Sequence, residues 1–104
     1  MRKDRLTIKA RILPDGLTFA VFGRDAWALS ELHGAGQRGC TPIDNPGPRW
    51  SAYVHKLKRL HGLSIETLNE AHKGQFAGTH ARYVLQSQVE ILERSDVADL
   101  AVAA

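Results

Sequence analysis

Three prolines fall within seven residues in the segment TPIDNPGPRW: Pro42, Pro46 and Pro48. A proline inside a helix removes a backbone hydrogen bond and clashes with the preceding turn, and it disfavours helical geometry in the residue before it. Thr41 is suited to cap a helix and Pro42 to occupy its first position. The helix that begins there can therefore run for only about one turn, over residues 43–45, before a rigid corner.

The segment after this corner has no helix-breaking residue and predicts an amphipathic helix over residues 48–61, which Gly62 ends. Apolar side chains recur at helical spacing on one face: Trp50, Tyr53, Val54, Leu57 and Leu60. The remaining faces carry small, polar and basic side chains: Ser51, Ala52, His55, Lys56, Lys58 and Arg59. We expect the apolar face, including its aromatic rings, to be buried in a core and the basic face to be exposed.

Two β-hairpins are predicted, one on each side of the helical region. Leu6, Ile8, Ala10 and Ile12 alternate with polar residues, and LPDG then forms a turn before LTFAVF, so residues 5–22 predict a hairpin. Residues 63–72 and 80–88 alternate in the same way around a glycine-containing loop at residues 73–79, and they predict a second hairpin.

A first helix is predicted over residues 24–35, between the first hairpin and the proline-rich segment. Ala28, Leu29, Leu32 and Ala35 share one face of it. Trp27 lies off that face, so the N-terminal hairpin, the C-terminal segment or a second subunit must cover this ring.

The distribution of charge divides the chain into a basic body and an acidic end. Residues 1–89 hold 13 basic and 7 acidic side chains, whereas residues 90–104 hold one arginine and four acids. We interpret residues 1–89 as a single domain and residues 90–104 as an acidic tail or a short amphipathic helix. A basic body indicates a polyanionic partner, although an ordinary solvated surface has the same composition.

Other classes of protein are disfavoured by what the sequence contains. Cys40 is the only cysteine and the five histidines show no zinc-binding spacing, so we expect no metal and no cofactor. No nucleophile stands in a recognisable catalytic motif, and we expect no enzymatic activity. No apolar run reaches the length of a membrane span, and the N-terminus does not resemble a signal peptide. A lone cysteine allows no disulfide within the chain, which favours a cytoplasmic protein.

The stretch GCTPIDNPGPRWSAYVHKL, followed by IET and THARYVL, resembles the small winged helix-turn-helix proteins of bacterial genomes and prophage-like regions. The similarity covers roughly residues 17–89. It implies an α+β fold with a three-helix core and a C-terminal β-hairpin wing, here preceded by an N-terminal β-hairpin. The short second helix departs from the family, in which that helix has about two turns.

The resemblance implies double-stranded DNA as the partner, with the third helix, residues 49–61, in the major groove and the wing loop near the backbone. The basic candidates for phosphate contacts are Arg49, Lys56, Lys58, Arg59, Lys73 and Arg82. Ser51, Ala52 and His55 are the candidates for base edges.

Several alternatives stay open for the flanking segments. Glu66 and Glu70 oppose phosphate binding by the wing unless they point away or pair with Arg82. Phe76 is expected to fold back onto the hairpin rather than wedge into a groove. The N-terminal cations Arg2, Lys3 and Arg5 either form a phosphate-binding arm or serve only solubility.

With this resemblance, the sequence predicts a DNA-binding transcriptional regulator of bacterial or phage origin. Two such subunits in a homodimer would read paired half-sites of DNA. The alternative is a winged helix that docks onto another protein without binding DNA. In that case Trp27, Phe76 and the C-terminal tail would form the interface.

Overall fold

The computed structural model describes residues 6–47, 49–72 and 78–96. The expectations for the N-terminal cations, Pro48, the wing-loop residues Lys73 and Phe76, and the end of the tail lie outside these residues. The elements in chain order are β1 (Leu6–Ile12), β2 (Thr18–Phe22), α1 (Gly23–Ala35), a 3₁₀ turn (Gly36–Arg38), α2 (Trp50–His61), β3 (Ile65–His72), β4 (Gly78–Leu85) and β5 (Val89–Asp96).

Both predicted hairpins are confirmed, and each belongs to a separate antiparallel sheet. β1 is the central strand of a three-stranded sheet in the order β2-β1-β5, and β3 pairs only with β4 within the described residues. Leu6, Ile8 and Ala10 of β1 are buried because they face α1, as their period of two predicts. α1 lies between this sheet and α2, and it buries Ala26, Ala28, Leu29 and Leu32.

The helix considered for the C-terminal segment is wrong for residues 90–96, which belong to strand β5. Glu93 and Glu90 on β5 form ion pairs with Lys9 (3.1 Å) and Arg11 (2.8 Å) on β1. The backbone of β5 satisfies the open edge of β1, and Val89 faces the core. This long-range pairing outweighs the weak helical pattern of the segment.

The predicted three-helix core is also wrong, because the described residues form two α-helices and a single turn in place of the second helix. Thr41 does act as a cap: its Oγ1 accepts a hydrogen bond from the Asp44 N–H (2.9 Å). The Asn45 N–H then donates to the Thr41 carbonyl (2.9 Å), and the chain turns away at Pro46. The element is the single turn that the prolines were expected to allow.

Trp27 is covered by α2, which was not among the three covers that the sequence suggested. Its ring lies 5.2 Å from that of Trp50 and 6.3 Å from that of Tyr53, measured between centroids. Gly47 completes the contact, because a side chain there would overlap the Trp27 indole. The proline-rich corner therefore packs directly on the pair of helices.

The apolar face predicted for α2 is confirmed for four of its five residues. Trp50, Tyr53, Val54 and Leu57 are buried. Leu60 is 66% exposed, so its prediction as a core residue is wrong. It lies at the edge of the apolar face in the last turn of the helix.

We predict that Gly47→Ala destabilises the protein by about 1–3 kcal/mol, because the added Cβ would lie 2.7 Å from two ring atoms of Trp27 and rigid aromatic packing leaves it no room. Gly34→Ala, in the last turns of α1, is the matched control. Its Cβ meets nothing within 4 Å, and alanine favours the helix by about 0.5–1 kcal/mol. Urea unfolding of the two variants checks this, and equal effects would contradict the close contact at Gly47.

Candidate nucleic-acid interface

The indole of Trp50 fixes the first turn of α2. Its Nε1–H donates a hydrogen bond to the Asn45 carbonyl (2.6 Å), and its ring stacks on Tyr83 of β4 with centroids 5.9 Å apart. Trp50, Tyr53 and Tyr83 are only 3%, 5% and 7% exposed. These rings therefore serve the core, as the sequence predicted, and none is free to stack on bases.

With its aromatic side buried, α2 presents the opposite side to solvent. The exposed predicted residues on the helix are Ser51, His55, Lys56, Lys58 and Arg59, with Ala52 half-buried among them and Arg49 exposed just before the helix. Lys56 Nζ lies 3.8 Å from Asp25 Oδ2 of α1. Within the described part of the chain, Arg49, Lys58 and Arg59 have no acidic side chain within ion-pair distance.

A groove of about 510 Å³ runs between α2 and the β3–β4 hairpin. Ser51, His55, Lys58 and Arg59 line its helical wall, and Thr67 and Tyr83 line its strand wall. Seven of the nine predicted site residues thus share one helix and its entry, and four of the seven line this groove. Lys73, in the loop of the hairpin, lies outside the described residues.

Arg82 is held on the other side of the hairpin. Successive side chains of a strand point to opposite faces, so Arg82 faces away from the groove that its neighbour Tyr83 lines. Its guanidinium bonds to the Glu70 carboxylate and donates to the Arg38 carbonyl (2.7 Å), and it lies 3.9 Å from Asp44. The side chain is 22% exposed. We therefore exclude Arg82 from the candidate interface. Its contacts instead connect the β3–β4 hairpin to the segment before α2.

The acids of β3 do not oppose an anion in the groove. Glu66 and Glu70 alternate with Thr67, so both point to the face away from α2. Hydrogen bonding by Arg82 holds the pKa of Glu70 below its usual value, and the charge of Arg82 and the contact with His80 act in the same direction. Of the two possibilities left open by the sequence, pointing away and pairing with Arg82, Glu70 satisfies both.

A family model described as a winged helix domain matches residues 18–95. The chain belongs to the winged helix family. No curated protein and no solved structure shows significant similarity to it. In winged helix terms, the β3–β4 hairpin is the wing, and Cys40 forms an isolated antiparallel bridge with Tyr83 at its base. The match extends to residue 95 and so includes most of β5.

The single cysteine of the chain lies in the core of the winged helix. Cys40 is fully buried, and burial, with a smaller effect of Glu31, raises the pKa of its thiol to about 11. Residues 6–47, 49–72 and 78–96 contain no group of three or more histidine, cysteine or acidic side chains placed to hold a metal ion. None of the helices in these residues is both long and apolar enough to cross a membrane.

Arg24 is the basic residue that sequence reasoning missed. It lies in the first turn of α1 and shares a cleft with Arg49 and Lys56 of the α2 region. No local pattern marks it, because 25 residues separate it from Arg49 and only the packing of α1 on α2 brings them together.

We predict that Glu70→Gln lowers the melting temperature at neutral pH, since it removes the charge that Arg82 binds. The folded-state pKa of Glu70 lies below its unfolded value, so its stabilisation is present above the unfolded value of about 4.5 and disappears as the pH falls through the folded one. The difference from wild type should therefore vanish in acid, which circular-dichroism melts across this range would show.

Glu66→Gln is the matched control for Glu70→Gln. Glu66 lies on the same face of the same strand, but its contact is a long hydrogen bond from Gln86 (3.5 Å). Melting temperatures that fall equally in the two variants at neutral pH would contradict the role assigned to the Arg82–Glu70 pair.

Proposed function

We propose that this winged helix protein binds double-stranded DNA through the exposed face of α2 and acts as a transcriptional regulator of bacterial or phage origin. The observation that carries this proposal is the group of exposed cations on α2 and its entry, of which Arg49, Lys58 and Arg59 lack an acidic partner within the described residues. Membership of the winged helix family supports the same face.

The pairing of charges elsewhere strengthens the case for α2. Lys9 and Arg11 counted towards the basic body in the sequence, but Glu93 and Glu90 of β5 pair with them on the sheet. Arg82 is likewise bound by Glu70. Among the described residues, α2 and its entry therefore carry a large share of the cations that have no acidic partner.

The size and chemistry of α2 suit a major groove. A helix of 12 residues is about 18 Å long and about 10 Å across, which a groove about 12 Å wide admits. Arg49, Lys58 and Arg59 would bind phosphates and release counterions. Ser51 and His55 would donate or accept hydrogen bonds at base edges, and Ala52 permits close approach or contact with a thymine methyl.

The alternative is a docking module for another protein or for a second copy of the chain. It is favoured by four large apolar side chains that are mostly exposed: Leu17, Phe22, Ile43 and Leu60. The sequence suggested Trp27 as part of such an interface, but that ring packs against Trp50 and Tyr53 and is no longer a candidate. A docking module would lose its partner on Phe22→Ser and Leu60→Ser and tolerate changes of α2 charge.

The test is fluorescence anisotropy with a labelled random duplex of about 25 base pairs, comparing wild type with the Lys58→Ala/Arg59→Ala variant. Loss of two phosphate contacts should weaken binding about tenfold or more and reduce the salt dependence of the affinity. Binding by the wild type should itself weaken steeply as salt increases.

Lys9→Ala/Arg11→Ala is the control, because it removes the same charge from the face of the sheet that points away from α1. It should bind DNA nearly as wild type does. Equal losses in the two variants would show that only net charge matters, and absence of binding at low salt would refute the proposed function.

A further inference from the structure

A second cleft, of about 530 Å³, lies on the other flank of α2, where the first turn of α1 approaches it. Its lining residues come from the end of β2 and from both helices: Phe22, Arg24, Asp25, Arg49, Ala52, Tyr53 and Lys56. Its volume falls within the range of small-molecule sites, about 300–1,000 Å³. The groove beside the wing is a different space, since the two share no lining residue.

The charge of this cleft is strongly positive. Arg24, Arg49 and Lys56 contribute three cations, and Asp25 is the one acid among the lining residues. Lys56 and Asp25 are 3.8 Å apart, at the limit of an ion pair. Within the described residues neither arginine has an acid within ion-pair distance. Two guanidinium groups that line one cleft without an acidic partner favour an anion there.

The backbone of α1 adds to this charge. The helix has 13 residues and begins at Gly23, and the residue before it, Phe22, makes no capping hydrogen bond with its side chain. The first N–H groups of a helix carry the positive end of its dipole. Arg24 and Asp25 lie in this first turn, so the dipole acts at the same place as the side-chain cations.

A polar group and an apolar group in the lining also lack partners. Tyr53 is 5% exposed, and its hydroxyl has no hydrogen-bond partner in the part of the chain that the structure describes. The hydroxyl has almost no accessible surface, so it lies beneath the wall of the cleft, and an anion would reach it only after neighbouring side chains shift. Phe22 is 64% exposed at the same cleft and offers an aromatic surface.

We propose that this cleft binds a phosphate group, held by Arg24, Arg49 and Lys56. Phosphate presents several oxygens with about two negative charges, which the planar forks of two arginines match better than a single lysine would. The group is carried either by a free phosphorylated small molecule or by the backbone of bound DNA. The second source rests on the proposed function, whereas the first does not.

Occupation of the cleft would affect the DNA-binding face in opposite ways for the two sources. Arg49 and Lys56 belong both to the cleft and to the basic side of the α2 region. A free anion would compete with DNA for these two cations. A backbone phosphate would instead anchor the duplex to α1 and fix the angle at which α2 meets it.

The first arm of the test titrates the ¹⁵N-labelled full chain with inorganic phosphate, using chloride at matched ionic strength as the reference. We expect saturable amide shifts at Arg24, Arg49 and Tyr53 with millimolar affinity. Arg24→Ala should weaken this affinity at least about fivefold, because it removes one of the two arginine forks.

Arg38→Ala is the matched control. It removes the same charge from an exposed position just beyond the opposite end of α1, and the hydrogen bond that Arg38 accepts from Arg82 uses its backbone carbonyl. Phosphate affinity should be unchanged in this variant. Arg24 is itself exposed, so a folding defect does not complicate the comparison.

The second arm repeats duplex binding across salt concentrations. If phosphate gives no saturable shifts but Arg24→Ala reduces the slope of log affinity against log salt by about one relative to Arg38→Ala, the anion is a backbone phosphate. Phosphate binding without any duplex binding would retain the site and reject the proposed function. The site would be overturned if phosphate gave no saturable amide shifts and the Arg24→Ala and Arg38→Ala variants also bound the duplex identically.

Discussion

The contacts of Trp50 determine how this small protein presents its second helix. The indole N–H donates to the Asn45 carbonyl, while the ring meets Trp27 of α1 in a tilted contact and stacks on Tyr83 of β4. One side chain therefore joins the proline-rich corner, both helices and the wing. Because such a cluster is rigid and dry, the orientation of α2 follows from packing at its first turn. The prolines limit the chain before that turn, and Gly47 leaves room for Trp27.

This arrangement separates the structural surface of α2 from its chemical surface. Trp50, Tyr53, Val54 and Leu57 are committed to the core, which leaves the basic side free in two clefts, one towards the wing and one towards α1. On the sheet, Lys9 and Arg11 pair with acids of β5, and on the wing Arg82 pairs with Glu70. These ion pairs neutralise cations on the sheet and the wing, whereas those at Arg49, Lys58 and Arg59 keep their charge exposed. The winged helix therefore has a defined basic face.

Local patterns predicted the elements well, and long-range contacts account for what they missed. The spacing of apolar residues predicted α2 and its basic face, and the alternation in residues 5–22 and 63–88 predicted both hairpins. Such local patterns could not show that Glu90 and Glu93 lie beside Arg11 and Lys9, since about 80 residues separate the members of each pair. Three further features depend on how α1 and the wing pack on α2: the burial of Trp27 against α2, the pairing of Arg82 with Glu70, and the cleft that Arg24 shares with Arg49. The reduction of the second helix to a single turn was predicted, because the prolines that end it are visible in the sequence.

The most direct measurement is site-specific photo-crosslinking of the full chain to a duplex of about 25 base pairs at moderate salt, where non-specific contacts weaken. A benzophenone side chain at Ser51 lies on the exposed side of α2, and one at Thr18 lies on the solvent face of the sheet, opposite Arg11. If α2 enters the groove, the probe at position 51 gives a DNA adduct and the probe at position 18 gives almost none. Equal adducts at both positions, or an adduct only at position 18, would contradict the assignment of α2 as the DNA-binding face.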